Sequence, residues 1–299
     1  MSQSGQYDAI YSMEFGGGRP AATGPAQARA IVLPIPFERT TSYVPGTRNG
    51  PREILAASTH MELWDEELSA AVHDLGILTM PEMELPFGSL DEVMAEIRRV
   101  AADLIAHGAF LVTLGGEHSI TPPVVAAYAA RYPGLSVLQI DAHADLRDSY
   151  MGTPFNHACA MRRSLEHAPC TQVGIRSLSA AEAHDLPSLR SHVFYDCTMR
   201  RDPEWMDRVV DTLSDTVYVT IDCDGLDPAI MPAVGTPEPG GLSWYETIGL
   251  LRRVFERRKV VGADVVELCP LPGNPAPNFL CAKLVCKLFG YRFALPAAR

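Results

Sequence analysis

The chain has 299 residues, 47% of them apolar, and a formal charge of −11. The apolar content suffices for one large core, while the acidic balance excludes nucleic acid as a partner, which needs basic surface to displace counterions, and favours cationic small molecules. No stretch approaches about 18 uninterrupted apolar residues, and the start MSQSGQYDAI lacks a basic flank before an apolar core, so neither a membrane span nor a signal peptide is expected.

In chain order, RAIVLPI (29–35) reads as a buried strand. Residues 90–107 keep Val93, Ile97, Val100 and Leu104 on one helical face, with Ser89 and Glu92 as a capping box and Gly108 to close the end. AFLVTL (109–114) is a second strand, and Pro122 and Pro123 suit the first turn of a helix after GGEHS. SVLQI (136–140), TVYVTI (216–221) and VVGADVVEL (260–268) continue the strand series. Ser243 and Glu246 open a helix that runs to about Arg258. Strand and helix in alternation imply right-handed crossovers and a parallel sheet covered on both faces. Seven scattered cysteines without a C-x-x-C pair read as reduced thiols, and a cytoplasmic protein is expected.

Chemistry concentrates where strands end. DAHAD holds Asp141, His143 and Asp145, and DCD holds Asp222 and Asp224, each directly after an apolar run. If these segments are extended, alternate side chains point the same way and each set converges. Four carboxylates in one pocket would repel and hold protons unless cations sat among them. With His118 of GGEHS there are six candidate ligands, too few for two full shells unless carboxylates bridge, which sets two ions roughly 3.5–4 Å apart. The oxygen-rich donor set favours manganese over structural zinc. Glu117 is expected to support a ligand rather than be one, and Cys223, turned to the opposite face, reads as buried filler. With no G-K-[ST] following, Gly115 and Gly116 do not announce a phosphate loop.

The strings GGEHS, DAHADLRD, IDCDGLDP, TPEPGGL and VVELCP, with VPGTRNGPREI and NHACAMRR, resemble in order and spacing the ureohydrolases, the arginase and agmatinase family. The resemblance covers about residues 30–290. It implies a three-layer α/β/α fold with a largely parallel eight-stranded sheet, and a single domain over 1–299 in which 1–28 is an N-terminal extension. It also implies a homo-trimer or homo-hexamer. His118, Asp141, Asp145 and Asp222 would hold one metal, and Asp141, His143, Asp222 and Asp224 the other, both divalent and best matched by Mn2+. Glu267 would pair with the substrate guanidinium, and His157 would shuttle protons. Glu238 lies among turn residues, so substrate positioning and a purely structural turn both stand open.

A guanidinium is charged at every physiological pH, and its carbon is a poor electrophile towards neutral water. A metal that brings the pKa of water from about 15.7 to about 7 supplies the nucleophile, and the departing amine must gain a proton. Arginases carry a loop of Asn and Ser between D-x-H-x-D and the next histidine to hold the α-amino acid head group. LRDSYMGTPFN departs from that pattern and is closer to bacterial and archaeal agmatinases. Hydrolysis of agmatine to putrescine and urea is therefore expected. Guanidinobutyrate, guanidine, arginine and formiminoglutamate are the alternatives, with Arg147 and Arg162 available to an acidic tail. A metal-dependent deacetylase is disfavoured by the absence of a His-His pair, and a non-catalytic relative by the presence of all six ligand types.

Overall fold

A computed structural model describes residues 13–17 and 22–295; the expected N-terminal extension, residues 1–28, lies in part outside them. In chain order the strands are β1 (Ala30–Ile35), β2 (Trp64–Asp65), β3 (Ala70–Ala71), β4 (Ile77–Thr79), β5 (Phe110–Gly115), β6 (Ser136–Ile140), β7 (Cys170–Ile175), β8 (Ser191–Tyr195), β9 (Thr216–Asp222) and β10 (Lys259–Val266). Eight of them form one sheet in the order β4, β1, β5, β10, β9, β6, β7, β8, while β2 and β3 make a separate antiparallel hairpin. The pairings described in the large sheet are all parallel.

Two apolar clusters sandwich this sheet, as its alternating side chains require. On β5, Phe110, Val112 and Leu114 face a cluster that includes Val209 and Val210, Leu250 and Leu251, and Leu284 and Leu288, from the helices Trp205–Thr212, Trp244–Arg257 and Ala276–Phe293. Leu111 faces the other way, onto Ile97, Ala101, Val124 and Tyr128 of the helices Leu90–Ala106 and Thr121–Arg131. The molecule is thus the expected three-layer α/β/α fold. Both expected capping boxes form: Ser89 and Ser243 each accept the amide of the glutamate three residues on, and that glutamate reaches back. Gly108 closes the first of these helices with φ +83°.

The fold differs from the expectation in what it adds. β7, CTQVGI, contains two polar residues and a glycine, and the outer strand β8 is only half buried, so neither shows a continuous apolar run. The helix Ala276–Phe293 is buried nearly all round, so it has no polar stripe and no 3.6-residue pattern to read. Parallel strands point their carboxyl ends to one edge, and there the crowding is severe. A Cβ on Gly225 would lie 2.7 Å from the Asp141 amide, so only glycine lets the loop after β9 approach the end of β6. That approach brings DCD against DAHAD.

Candidate metal centre

Five of the six expected ligands are buried at this edge, and His143 is partly exposed. Nδ1 of His118 is flanked by Oδ2 of Asp141 at 3.1 Å, Oδ2 of Asp145 at 3.1 Å and Oδ2 of Asp222 at 3.3 Å. Nδ1 of His143 lies 3.0 Å from Oδ2 of Asp224 and 3.6 Å from Oδ1 of Asp141. Two groups of donors therefore overlap: His118, Asp141 and Asp145 form one, and Asp141, His143 and Asp224 the other. Asp141 belongs to both. Although three carboxylate oxygens surround it, Nδ1 of His118 makes no hydrogen bond with any of them. Donors converging on a common centre rather than on one another fit a cation.

The convergence has a different cause from the one expected. Extended backbone ends at Ile140, and Asp145 reaches the cluster through a left-handed turn, φ +52°. Asp224 likewise lies in a 3-10 turn, where its amide donates to Oδ1 of Asp222 at 3.0 Å. Cys223 between them is buried and faces Sγ of Cys281 at 3.5 Å, away from the ligands as anticipated.

Neighbouring side chains hold the donors in place. Gln139 donates to Oδ2 of Asp141 at 2.5 Å while its own carbonyl accepts from Gln172 at 2.6 Å. Thr236 donates to Oδ2 of Asp224 at 3.3 Å. Glu117 is fully buried and is not among the donors; it accepts the amides of Arg39 and Thr40 and the hydroxyls of Thr40 and Ser119. Thr40 Oγ1 in turn accepts the His157 amide at 3.0 Å, so Glu117 ties the loop carrying His157 to the loop carrying His118. Arg176 donates to the carbonyls of Asp224, Glu238 and Pro239 at 2.6, 3.1 and 3.1 Å, binding the DCD turn to TPEPGG. Gln139 and Arg176 escape a motif search because they act on backbone or on a ligand's flank; the one signal was an arginine directly after a strand that itself went unread.

The remaining candidates lie beside the donors, and His157 among them lines a cavity. Oε1 of Glu267 accepts the His118 amide at 2.7 Å and lies 3.9 Å from Nδ1 of His157. Its φ of +64° turns the side chain back over the strand end, a strained conformation for a residue with a Cβ. Nε2 of His157 meets Oγ of Ser42 at 3.1 Å. Oε1 of Glu238 lies 3.9 Å from Nε2 of His143, at the tip of a turn made by Gly240 and Gly241, φ +86° and +104°. A cavity of about 240 Å³ opens here, lined by Ser42, His143, Asp145, Arg147, His157 and Thr236 among others. Arg162 is not among its lining residues and pairs with Asp185 at 3.4 Å.

Charge crowding sets protonation in the metal-free protein. Burial, then the charge of Asp141, pushes Asp145 up to about 7, and burial with the neighbouring carboxylates raises Asp222 and Asp224. Burial opposes charging His143, but Asp224 and Asp141 outweigh it and bring the ring up to about 12. Burial, with positive charge on His143 and His118, holds His157 down at about 4, so that imidazole is neutral near pH 7. Burial and then the Glu117 carboxylate push Glu267 well above the usual range.

A divalent cation must therefore displace protons from the cluster. Since protons compete with metal, affinity rises with pH across the neutral range, where Asp145 loses its proton. Calorimetric titration of manganese into chelator-treated protein should give apparent heats that differ between buffers of unlike ionisation enthalpy; identical heats would contradict the protonated cluster.

The arginase family pattern matches residues 28–290. The chain is 41% identical over 279 residues to the N(1)-aminopropylagmatine ureohydrolase of Synechocystis sp., covering 91% of each chain. It is 34% identical to the agmatinase of Pyrococcus horikoshii, covering 87% of this chain and 90% of that one. The crystal structure of the agmatine ureohydrolase of Thermoplasma volcanium superposes with a TM-score of 0.85 at 32% identity, covering 96% and 97% of the two chains. With the expected fold at the same strand ends, these likenesses mean that the chain is an enzyme of the arginase family, a ureohydrolase.

Proposed function

We propose that this enzyme hydrolyses the guanidino C–N bond of agmatine, giving putrescine and urea, at a centre of two divalent ions for which manganese is the best match. The observation that carries the reading is the pair of donor groups sharing Asp141 beneath a cavity that also receives His157. His118, Asp141, Asp145 and Asp222 would hold one ion, and Asp141, His143, Asp222 and Asp224 the other. When bound, the ions would compensate the buried carboxylates and make water a competent nucleophile near neutral pH.

The protein's own groups have separate tasks in this scheme. Glu267 offers a carboxylate to the guanidinium, whose charge would oppose the burial that raises this group, and whose planarity favours pairing. His157 is kept neutral, and its Nδ1 side faces Glu267, so it can take up a proton and return it to the departing amine. Glu238, beside His143, would help orient the substrate amino groups. One water is consumed; the protonated amine and neutral urea together carry the charge that entered as guanidinium.

A substrate without a carboxylate is favoured by what surrounds the cavity. Arg147, a possible partner for an acidic tail, already stacks over Tyr150 at 4.6 Å and approaches Glu182 at 4.0 Å. A second reading, an agmatine extended by an aminopropyl arm, is favoured by the name of the relative at 41% identity, and it keeps the same guanidinobutyl head. The proposal extends to a single domain over the whole chain with residues 1–28 as an extension, a homo-trimer or homo-hexamer, and a cytoplasmic location. The family match over residues 28–290 supports the first of these. Among the described residues no helix is long and apolar enough to cross a membrane.

Urea release should be far faster from agmatine than from arginine, because burying an unpaired carboxylate costs roughly several kcal/mol; equal kcat/KM values would refute the assignment. A strong preference for the aminopropyl derivative would select the second reading. His157→Gln should reduce turnover by roughly 10²- to 10⁴-fold while metal content stays at the wild-type level. Wild-type turnover in that variant, or a lost metal, would show that His157 has another job.

A further inference from the structure

We propose that Asp264, which touches none of the candidate metal ligands, is a positioning residue that decides which nitrogen of His118 carries hydrogen, and so whether Nδ1 offers the cation a lone pair; the inference rests on the metal-site reading above. Asp264 is fully buried near the middle of β10, opposite Thr113 of β5 on one side and Thr220 of β9 on the other. A carboxyl group in the heart of a sheet costs stability unless it is hydrogen-bonded and used. Sequence reading assigned it no role, and nothing in the proposed chemistry touches it.

Its hydrogen bonds give it one. Oδ2 of Asp264 accepts the Tyr218 hydroxyl at 2.7 Å and the Thr121 hydroxyl at 2.9 Å. Oγ1 of Thr121 lies 3.4 Å from Oγ1 of Thr220, and Oγ1 of Thr220 lies 2.9 Å from Nε2 of His118. Each hydroxyl has a single proton. Because Thr121 gives its proton to Asp264, the contact between the two threonines can be a hydrogen bond only if Thr220 is the donor. Thr220 then has only a lone pair to offer His118. Nε2 must therefore carry hydrogen and donate, which leaves Nδ1 as the nitrogen available to a cation among Asp141, Asp145 and Asp222. The polarity of the whole chain is set by its far end. An ionised carboxylate, or a carboxyl that carries its proton on Oδ1, leaves Oδ2 the acceptor of both hydroxyls.

Without an acceptor at residue 264, Thr121 is free to donate to Thr220, and Thr220 to Nε2. That reversal stabilises the tautomer with hydrogen on Nδ1, which points an N–H at the metal position. The expected effect is selective: the ion held through His118 weakens, while the ion held through His143 does not.

Manganese titrated calorimetrically into chelator-treated, full-length protein tests this. Asp264→Val should weaken one of two binding events by roughly 10- to 100-fold and leave the other unchanged. Asp264→Asn, which keeps an acceptor oxygen, should retain most of both. Tyr218→Phe, which disturbs the same buried cluster without removing the acceptor, should lower the melting temperature but not the affinity. If Asp264→Val does not fold, Thr220→Val should show the same one-site loss, and Thr220→Ser should restore it. Wild-type affinities in the valine variants, equal loss at both sites, or an asparagine variant as impaired as the valine one would overturn the positioning role. A wild-type protein that takes up no manganese would overturn the metal-site reading itself.

Discussion

Carboxylate repulsion is the constraint on which the rest of this structure depends. Asp141, Asp145, Asp222 and Asp224 are gathered with two histidines into a buried space at one edge of a parallel sheet. Burial, and then the neighbouring carboxylates, raise Asp145, Asp222 and Asp224, so the cluster holds protons in isolation, and it stays assembled because its surroundings leave it no alternative. The sheet aims two of its strand ends at one point, Gly225 allows the loops to close up, and Arg176 clamps the turn that carries Asp224. The stability of the scaffold is spent on an arrangement that, without cations, is electrostatically unfavourable.

Polar side chains near the site are accordingly linked in series that lead to the candidate ligands. Gln172, Gln139 and Asp141 form one directed series, and Asp264, Thr121, Thr220 and His118 form another. Each is buried, the first between neighbouring strands and the second between two strands and the helix that begins at Thr121, and each ends at a candidate ligand. Glu117 does similar work for the loops, joining Thr40, the His157 segment and the segment that begins at His118. A carboxylate cluster and a neutral His157 can therefore coexist within one cavity, with separate groups fixing each.

Much of the site was legible in the sequence because its donors come in short contiguous strings that follow apolar runs. DAHAD, DCD and the histidine of GGEHS each fall at a strand end, and the parallel topology brings those ends together. The mechanism of convergence was not legible. Asp145 reaches the cluster by a positive φ, and Glu267 turns back by another, conformations that side-chain alternation does not anticipate. Arg176 went unread because its partners are distant in sequence, and Gln139 because it sits inside the strand SVLQI rather than in a motif. The helix Ala276–Phe293 and the strands β7 and β8 were missed for a simpler reason: all-round burial and interrupted apolar runs erase the periodicities by which such elements are recognised.

The central claim is that one carboxylate, Asp141, belongs to two cation sites at once. Electron paramagnetic resonance of the manganese-loaded enzyme tests it most directly, because a shared carboxylate couples the spins of the ions it joins. The account predicts the spectrum of an exchange-coupled pair in the wild-type protein, replaced by that of isolated ions in Asp141→Asn. A wild-type spectrum of uncoupled ions, at a loading that gives full activity, would contradict it.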